Sequence, residues 1–291
     1  MDVKAYLKRI QVDSVGKPNL ETLQYLMNQH LFHIPFENLD ILCNRWIRLQ
    51  HGAVFKKIVY QKRGGFCYEL NSAFSALLQE LGFQVSIVSG RVRTADGGFG
   101  PEYDHMALIV HLNEPWLVDV GFGDSARQPL PLSGKKQSDL SGCYRIKKIP
   151  NEKEAYVLEK KQQSRWVSSY RFSTTARRLR DFAVMCAYHQ TSPTSIFRQQ
   201  LILTRATLQG RISLSDDSFI HTIHGQKRKI PVQNIDVKRY LMYKHFGIDP
   251  DSIPLHHISC QKSNKPGDFS ASSFNESISC KGRNLHDTNK S

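Results

Sequence analysis

The chain has 291 residues, 40% of them apolar, with 40 Lys and Arg against 26 Asp and Glu for a formal net charge of +14. That is enough apolar material for one large domain or two or three smaller ones, which excludes a chain too polar to fold. No run of about 18 uncharged apolar residues occurs, and Met1 to Ile10 carries a charge in nearly every turn, so neither a membrane span nor a signal peptide is expected.

The first third reads as helical. Val3 to Ile10 forms a short amphipathic helix, and Asn19 after Pro18 caps a second one with Leu20, Leu23, Leu26 and Leu31 on one face, ended by Pro35. Pro35-Phe36-Glu37-Asn38 is expected to turn, and Ala53 to Gln61 to form a third helix. Arg63-Gly64-Gly65-Phe66-Cys67 leads into a fourth, Tyr68 to Leu81, with Leu70, Phe74, Leu77, Leu78 and Leu81 at helical spacing and Gly82 as its stop. The two glycines are expected to free the backbone from ordinary steric limits and place Cys67 at the mouth of that helix.

After Gly82 the apolar period falls to two, with Phe83, Val85 and Ile87 alternating against polar neighbours. A Gly- and Asp-rich loop from Thr94 to Asp104 precedes a strand from His105 to Leu112. Asn113-Glu114-Pro115 then turns the chain into Trp116 to Val120, so these two strands form a hairpin. Cys143 to Phe172 reads as further antiparallel sheet with basic faces. Leu179 to Tyr188 is expected to be helical, Leu201 to Ile223 to hold two or three strands around Gly210, and Ile235 to Phe246 to be a last helix closed by Gly247. From about His256 the chain is rich in Ser, Asn and Lys, the composition of a poorly ordered tail.

Much of the basic excess lies between Arg145 and Arg180. It suits a nucleic-acid surface, a poly-anionic small molecule, or a merely solvated face, the commonest of the three. No nucleic-acid module accompanies it, and aromatics are scarce within the run. The six cysteines, Cys43, Cys67, Cys143, Cys186, Cys260 and Cys280, include no C-x-x-C pair, so no metal or redox motif is expected and they read as reduced cytoplasmic thiols.

A catalytic constellation assembles from Cys67, His105 and Asp119. A helix N-terminus favours negative charge and lowers a thiol's pKa, although a small buried apolar role is the ordinary fate of a free cysteine. His105 opens one strand of the hairpin and Asp119 ends the other, which brings an imidazole base and an orienting carboxylate together. Asp119 interrupts the apolar run Trp116-Leu117-Val118, where a carboxylate without a partner would be costly. Asp104 competes for the orienting role, but as the neighbour of His105 it would face the other way. Gly121-Phe122-Gly123 is either a simple turn or a close backbone approach to a ligand.

These motifs together resemble the arylamine N-acetyltransferase family. Pro35-Phe36-Glu37-Asn38 resembles its PFEN segment and Arg63-Gly64-Gly65-Phe66-Cys67 its RGGxC motif. His105, Val118-Asp119-Val120-Gly121-Phe122-Gly123 and Ser192-Pro193-Thr194-Ser195-Ile196-Phe197 follow in the family's order. The likeness spans roughly residues 1 to 250, while a Cys-His-Asp order alone is shared with transglutaminases and papain-like thiol enzymes, which keeps a transglutaminase-like or hydrolytic enzyme as the alternative.

The resemblance implies an α+β fold with a transglutaminase-like Cys-His-Asp core: a helical bundle over 1–82, an antiparallel β-barrel over 83–190 and an α/β lid over 191–255, with the tail from 256 as a departure from the family. It implies ping-pong transfer of acetyl from acetyl-CoA, through a thioester on Cys67, to an arylamine, hydrazine or N-hydroxyarylamine, as in xenobiotic metabolism. Phe36 and Phe122 would line the acceptor pocket, Gly123, Thr194 and Ser195 would lie near the coenzyme, and neither a metal nor a nucleic-acid or membrane partner is implied.

Overall fold

A computed structural model describes residues 1–254, so the tail expected from about His256 lies outside the described residues. Helix α1 (Val3–Arg9) is followed by α2 (Leu20–His33), where Asn19 accepts the Thr22 N–H as its N-cap. Phe36–Glu37 is not a turn as expected but a two-residue strand, β1, because its partner lies some 165 residues on, near Leu203 and Thr204. After α3 (Leu39–Leu42) comes α4 (His51–Phe55), whose last turn widens into a π-helix over Lys56–Tyr60. Helix α5 (Cys67–Glu80) begins on Cys67 and is followed by Gly82 at φ +88°.

Eight antiparallel strands then form one sheet: β2 (Gln84–Val92), β3 (His105–His111), β4 (Pro115–Val118), β5 (Leu130–Pro131), β6 (Gln137–Asp139), β7 (Gly142–Lys148), β8 (Ala155–Gln162) and β9 (Arg165–Ser173). Their spatial order is β5-β4-β3-β2-β9-β8-β7-β6, and β5 comes round to contact β7, so the sheet curls into a nearly closed barrel.

β3 is apolar without interruption from Met106 to Val110 because both its faces are buried. Met106, Leu108 and Val110 join the helices in one core, while Ala107 and Ile109 face the barrel interior with Leu117, Tyr170 and Phe172. His105 and Asp119 share the interior parity, and they stand where the barrel meets α5.

A 3-10 turn at Leu179–Phe182 leads into α6 (Ala183–Thr191) and α7 (Ile196–Gln199). β10 (Leu203–Thr207), β11 (Gly210–Leu214), β12 (Ser218–Ile223) and β13 (Gln226–Pro231) form a second antiparallel sheet with β1 at its edge, and α8 (Ile235–Phe246) packs on it through Leu241, Met242 and Phe246. Among the described residues no helix is long and apolar enough to cross a membrane.

Candidate active site

Cys67 is the first residue of α5 and is 3% exposed. The glycines before it serve close approach rather than unusual dihedrals, since neither adopts a positive φ. A Cβ on Gly64 would lie 2.0 Å from the Pro35 carbonyl oxygen, and one on Gly65 would lie 2.6 Å from Glu69 Oε2. The loop is thereby pressed onto the segment that forms β1, with Glu37 N–H donating to the Gly65 carbonyl at 2.9 Å.

Beneath the loop lies a buried ion cluster that sequence reasoning missed. Lys57 Nζ donates to Glu69 at 2.8 and 3.0 Å and lies 2.8 Å from Asp40, while Arg63 holds Glu37 Oε1 at 2.8 Å and Asp40 Oδ1 at 3.1 Å. Glu69 Oε2 also accepts the Phe66 N–H at 3.3 Å, which ties the cluster to the residue preceding the thiol. Charged residues inside a helical pattern were the available signal, but five positions spread from 37 to 69 cannot be paired without the fold.

His105 and Asp119 meet as the hairpin predicts. Leu108 pairs with Val118, so Asp119 is displaced by two positions from the residue opposite His105 and stays on the same face. His105 Nε2 lies 2.7 Å from Asp119 Oδ2, which also accepts the Tyr170 hydroxyl at 2.9 Å. Asp119 Oδ1 accepts Asn71 Nδ2 at 3.0 Å and the Gly121 N–H at 2.9 Å. Burial alone would raise this carboxyl, but His105 and the donors from Asn71 and Gly121 hold it below its ordinary value. With Nε2 engaged by Asp119, Nδ1 is the imidazole nitrogen left for a further partner.

Asn71 and Tyr170 were not singled out from sequence. Asn71, one helical turn after Cys67, also donates to the Met106 carbonyl at 2.6 Å and accepts the Val120 N–H at 3.0 Å, so it pins α5 to both strands of the hairpin. A polar side chain at the i+4 position of an otherwise buried helix face was its signal; Tyr170, on β9, had none.

The thiol itself departs from expectation. Burial pushes Cys67 well above the ordinary thiol value, opposed by the Met106 N–H and reinforced by the Asp119, Cys186 and Asp104 charges. Burial and the helix start thus act on this thiol in opposite directions.

Cys67, Phe36, His105, Phe122 and Gly123 line one cavity of about 730 Å³, together with Arg127, Lys160, Arg211 and Lys227. Phe122 packs edge-on against His105 at 5.1 Å between ring centroids. Gly121 is pressed against the nucleophile's helix: a Cβ there would lie 2.6 Å from Asn71 Nδ2 and 2.8 Å from Cys67 Cα. Gly121→Ala is expected to lower turnover by about 10²-fold through displacement of the thiol, while costing about 1–3 kcal/mol of stability. Steady-state kinetics alongside a urea melt checks this, and unchanged turnover would remove the contact's importance.

Thr194 and Ser195 are not among the residues lining the cavity. Thr194 is exposed and bonds Tyr188 and Ser192, whereas Ser195 is buried and caps α7. Among the described residues no group of His, Cys, Asp and Glu could hold a metal ion.

A family model for N-acetyltransferase matches residues 19–253. The arylamine N-acetyltransferase of Escherichia coli (strain K12) is 32% identical over 253 residues, 84% of this chain and 88% of that protein. The chain belongs to the arylamine N-acetyltransferase family. It is accordingly an acyltransferase. Among solved arylamine N-acetyltransferases, that of Mycobacterium marinum in complex with CoA superposes with a TM-score of 0.80 at 30% identity, covering 88% of this chain and 97% of that one. A Bacillus cereus arylamine N-acetyltransferase described as having a unique Cys-His-Glu catalytic triad superposes at 0.79 with 29% identity, covering 85% and 99%. In this family member the residue bonded to the histidine is Asp119.

Proposed function

We propose that the chain transfers acetyl from acetyl-CoA to the nitrogen of arylamines or hydrazines, or to the oxygen of N-hydroxyarylamines, in two half-reactions through a thioester on Cys67. The observation that carries this reading is a thiol at the first turn of α5 in the wall of a cavity that also holds His105, with the far nitrogen of His105 bound by a fully satisfied Asp119.

In the first half-reaction His105 Nδ1 takes the Cys67 proton as the sulfur attacks the acetyl carbonyl, and returns it to the sulfur of departing CoA. In the second, the acceptor nitrogen attacks the thioester, His105 takes its proton, and Cys67 leaves to be reprotonated. Asp119 keeps the ring hydrogen on Nε2 and stabilises the imidazolium in both steps.

Phe36 and Phe122 offer the acceptor ring two aromatic faces in a cavity of a size that suits a small amine. The cations of the cavity suit phosphates: Lys160, Arg211 and Lys227 share its lining, and Lys160 and Arg211 each lie 3.3 Å from Asp124. Gly123 lies in the same wall, and Thr194, being exposed, is open to a coenzyme reaching past it. On this reading residues 1–82 supply the nucleophile, 83–190 the base and its carboxylate, and 191–255 a cover over the cleft, and a reactive thiol of this kind calls for the reducing cytoplasm.

Intact-mass measurement after incubation with acetyl-CoA tests the reading. The expected result is one added acetyl group that disappears when an arylamine is supplied, with none on Cys67→Ala. Stoichiometric acetylation of Cys67→Ala would overturn the nucleophile assignment, and loss of the acetyl group to water at the same rate without amine would favour the hydrolytic alternative.

A further inference from the structure

The cavity wall contains a second carboxylate and imidazole that the reaction above leaves unused. Asp104, one residue before His105, turns away from Asp119 to His189 of α6, whose Nε2 lies 3.3 Å from Asp104 Oδ1. Both residues line the cavity that holds Cys67. Ser195 Oγ lies 3.2 Å from His189 Nδ1 and already accepts the Phe197 N–H, so its own hydrogen is available to Nδ1. The ring hydrogen then sits on Nε2, the arrangement an ionised Asp104 also favours. Phe197 packs edge-on against the imidazole at 5.1 Å between centroids and holds its plane.

This pair is under-satisfied where Asp119 is not. His189 is 6% exposed, and its Nε2 has no hydrogen bond of acceptable geometry. Asp104 Oδ2 has only the Val92 N–H, at 3.3 Å, whereas Asp119 receives four donors between 2.7 and 3.0 Å. Among the described residues the ion-pair contact of Asp104 is with His189, while Lys160 and Arg211 of the same cavity gather on Asp124. A carboxylate with about four lone-pair sites thus faces the cavity with most of its capacity unspent. It stands close enough to Cys67 for its charge to weigh on the thiol.

We propose that Asp104 and His189 form a specificity-determining subsite for the acceptor, favouring aromatic amines and hydrazides that carry a cationic or hydrogen-bond-donating group away from the reacting nitrogen and rejecting those that carry a carboxylate. A cationic group completes the half-filled shell of Asp104, whereas an anionic one meets a like charge there. The subsite rests on the acetyl-transfer reading, and its test separates the two.

Two acceptors competing for one acetyl-enzyme are compared by the ratio of their kcat/KM values, which cancels the acetyl-CoA step and any effect of Asp104 on thiol ionisation. With 4-aminobenzamidine and 4-aminobenzoate, similar in size and opposite in charge, Asp104→Asn should lower the cation-to-anion ratio by about tenfold or more relative to the native chain. A ratio within about twofold of native would overturn the subsite, by the same bond-strength scale. Should Asp104→Asn fail to fold, the native enzyme still decides: benzamidine, which offers no arylamine nitrogen, should compete with a neutral acceptor at a concentration about tenfold below that of benzoate. Equal inhibition by the two would overturn the proposal. Failure of the underlying reading would appear separately, as absence of acetyl on Cys67 in the mass measurement.

Discussion

Asp119→Asn should lower turnover on the order of 10³- to 10⁴-fold with the fold intact. Every partner of this carboxylate donates to it: His105 Nε2, the Tyr170 hydroxyl, Asn71 Nδ2 and the Gly121 N–H. An amide placed there must turn its NH₂ toward one of the two sides. Turned toward His105, it draws the ring hydrogen onto Nδ1, the nitrogen that has to accept the thiol proton. Turned toward Gly121, it sets donor against donor in a buried site. The same substitution should slow alkylation of Cys67 by iodoacetamide near neutral pH, because Asp119 stabilises the imidazolium form of His105 that takes the thiol proton. Alkylation rates from about pH 6 to 10, a range spanning the ordinary thiol value of about 8.5, give the comparison. A profile identical to that of the native chain would transfer the orienting role to another group.

The second large effect is on stability. Lys57→Met should cost about 3–5 kcal/mol, the expected cost of breaking a buried ion pair from one side. Of the three carboxylates, Glu37 and Asp40 would then share Arg63, and Glu69 would lose its ion pair. Glu69 suffers most, since burial already pushes it up to about 7 even with Lys57 beside it, and Arg63 makes no contact with it. Removing the ammonium raises Glu69 further. A carboxyl raised in the folded state stabilises fully below its unfolded value and loses that contribution as pH rises through the folded value. The deficit of Lys57→Met relative to the native chain should therefore widen between about pH 5 and pH 8, a window that brackets the raised carboxyl. Urea midpoints at the two pH values measure it, and a deficit below about 1 kcal/mol at both would mean that the cluster contributes specificity rather than stability.

How far the sequence carried can be seen by element. Asn19 capping α2, α5 to within a residue at each end (Tyr68 to Leu81 expected, Cys67–Glu80 found) and the span Ile235–Phe246 of α8 followed from caps and period. So did the hairpin that joins His105 to Asp119, since a short turn between apolar runs fixes both the pairing and the parity of its side chains. The stretch Phe36–Glu37 was misread because two residues carry no period, and its strand exists only through a partner near Leu203. The glycines before Cys67 were right in place but wrong in reason: what forbids a side chain is the Pro35 carbonyl, which no local rule locates.

The sequence by itself determined which residues could do the chemistry and the local elements that carry them, because caps, periods and turns act over a few residues and leave their mark in composition. Only the tertiary structure decided the electrostatics of those residues. Cys67 was expected to be favoured as a thiolate by its helix, whereas burial pushes its thiol up, and Asp104, set aside as a rival of Asp119, faces His189 across the cavity wall. The energy of a charge depends on how much water surrounds it and on which opposite charges stand within a few ångströms, and both are settled by parts of the chain far apart in sequence.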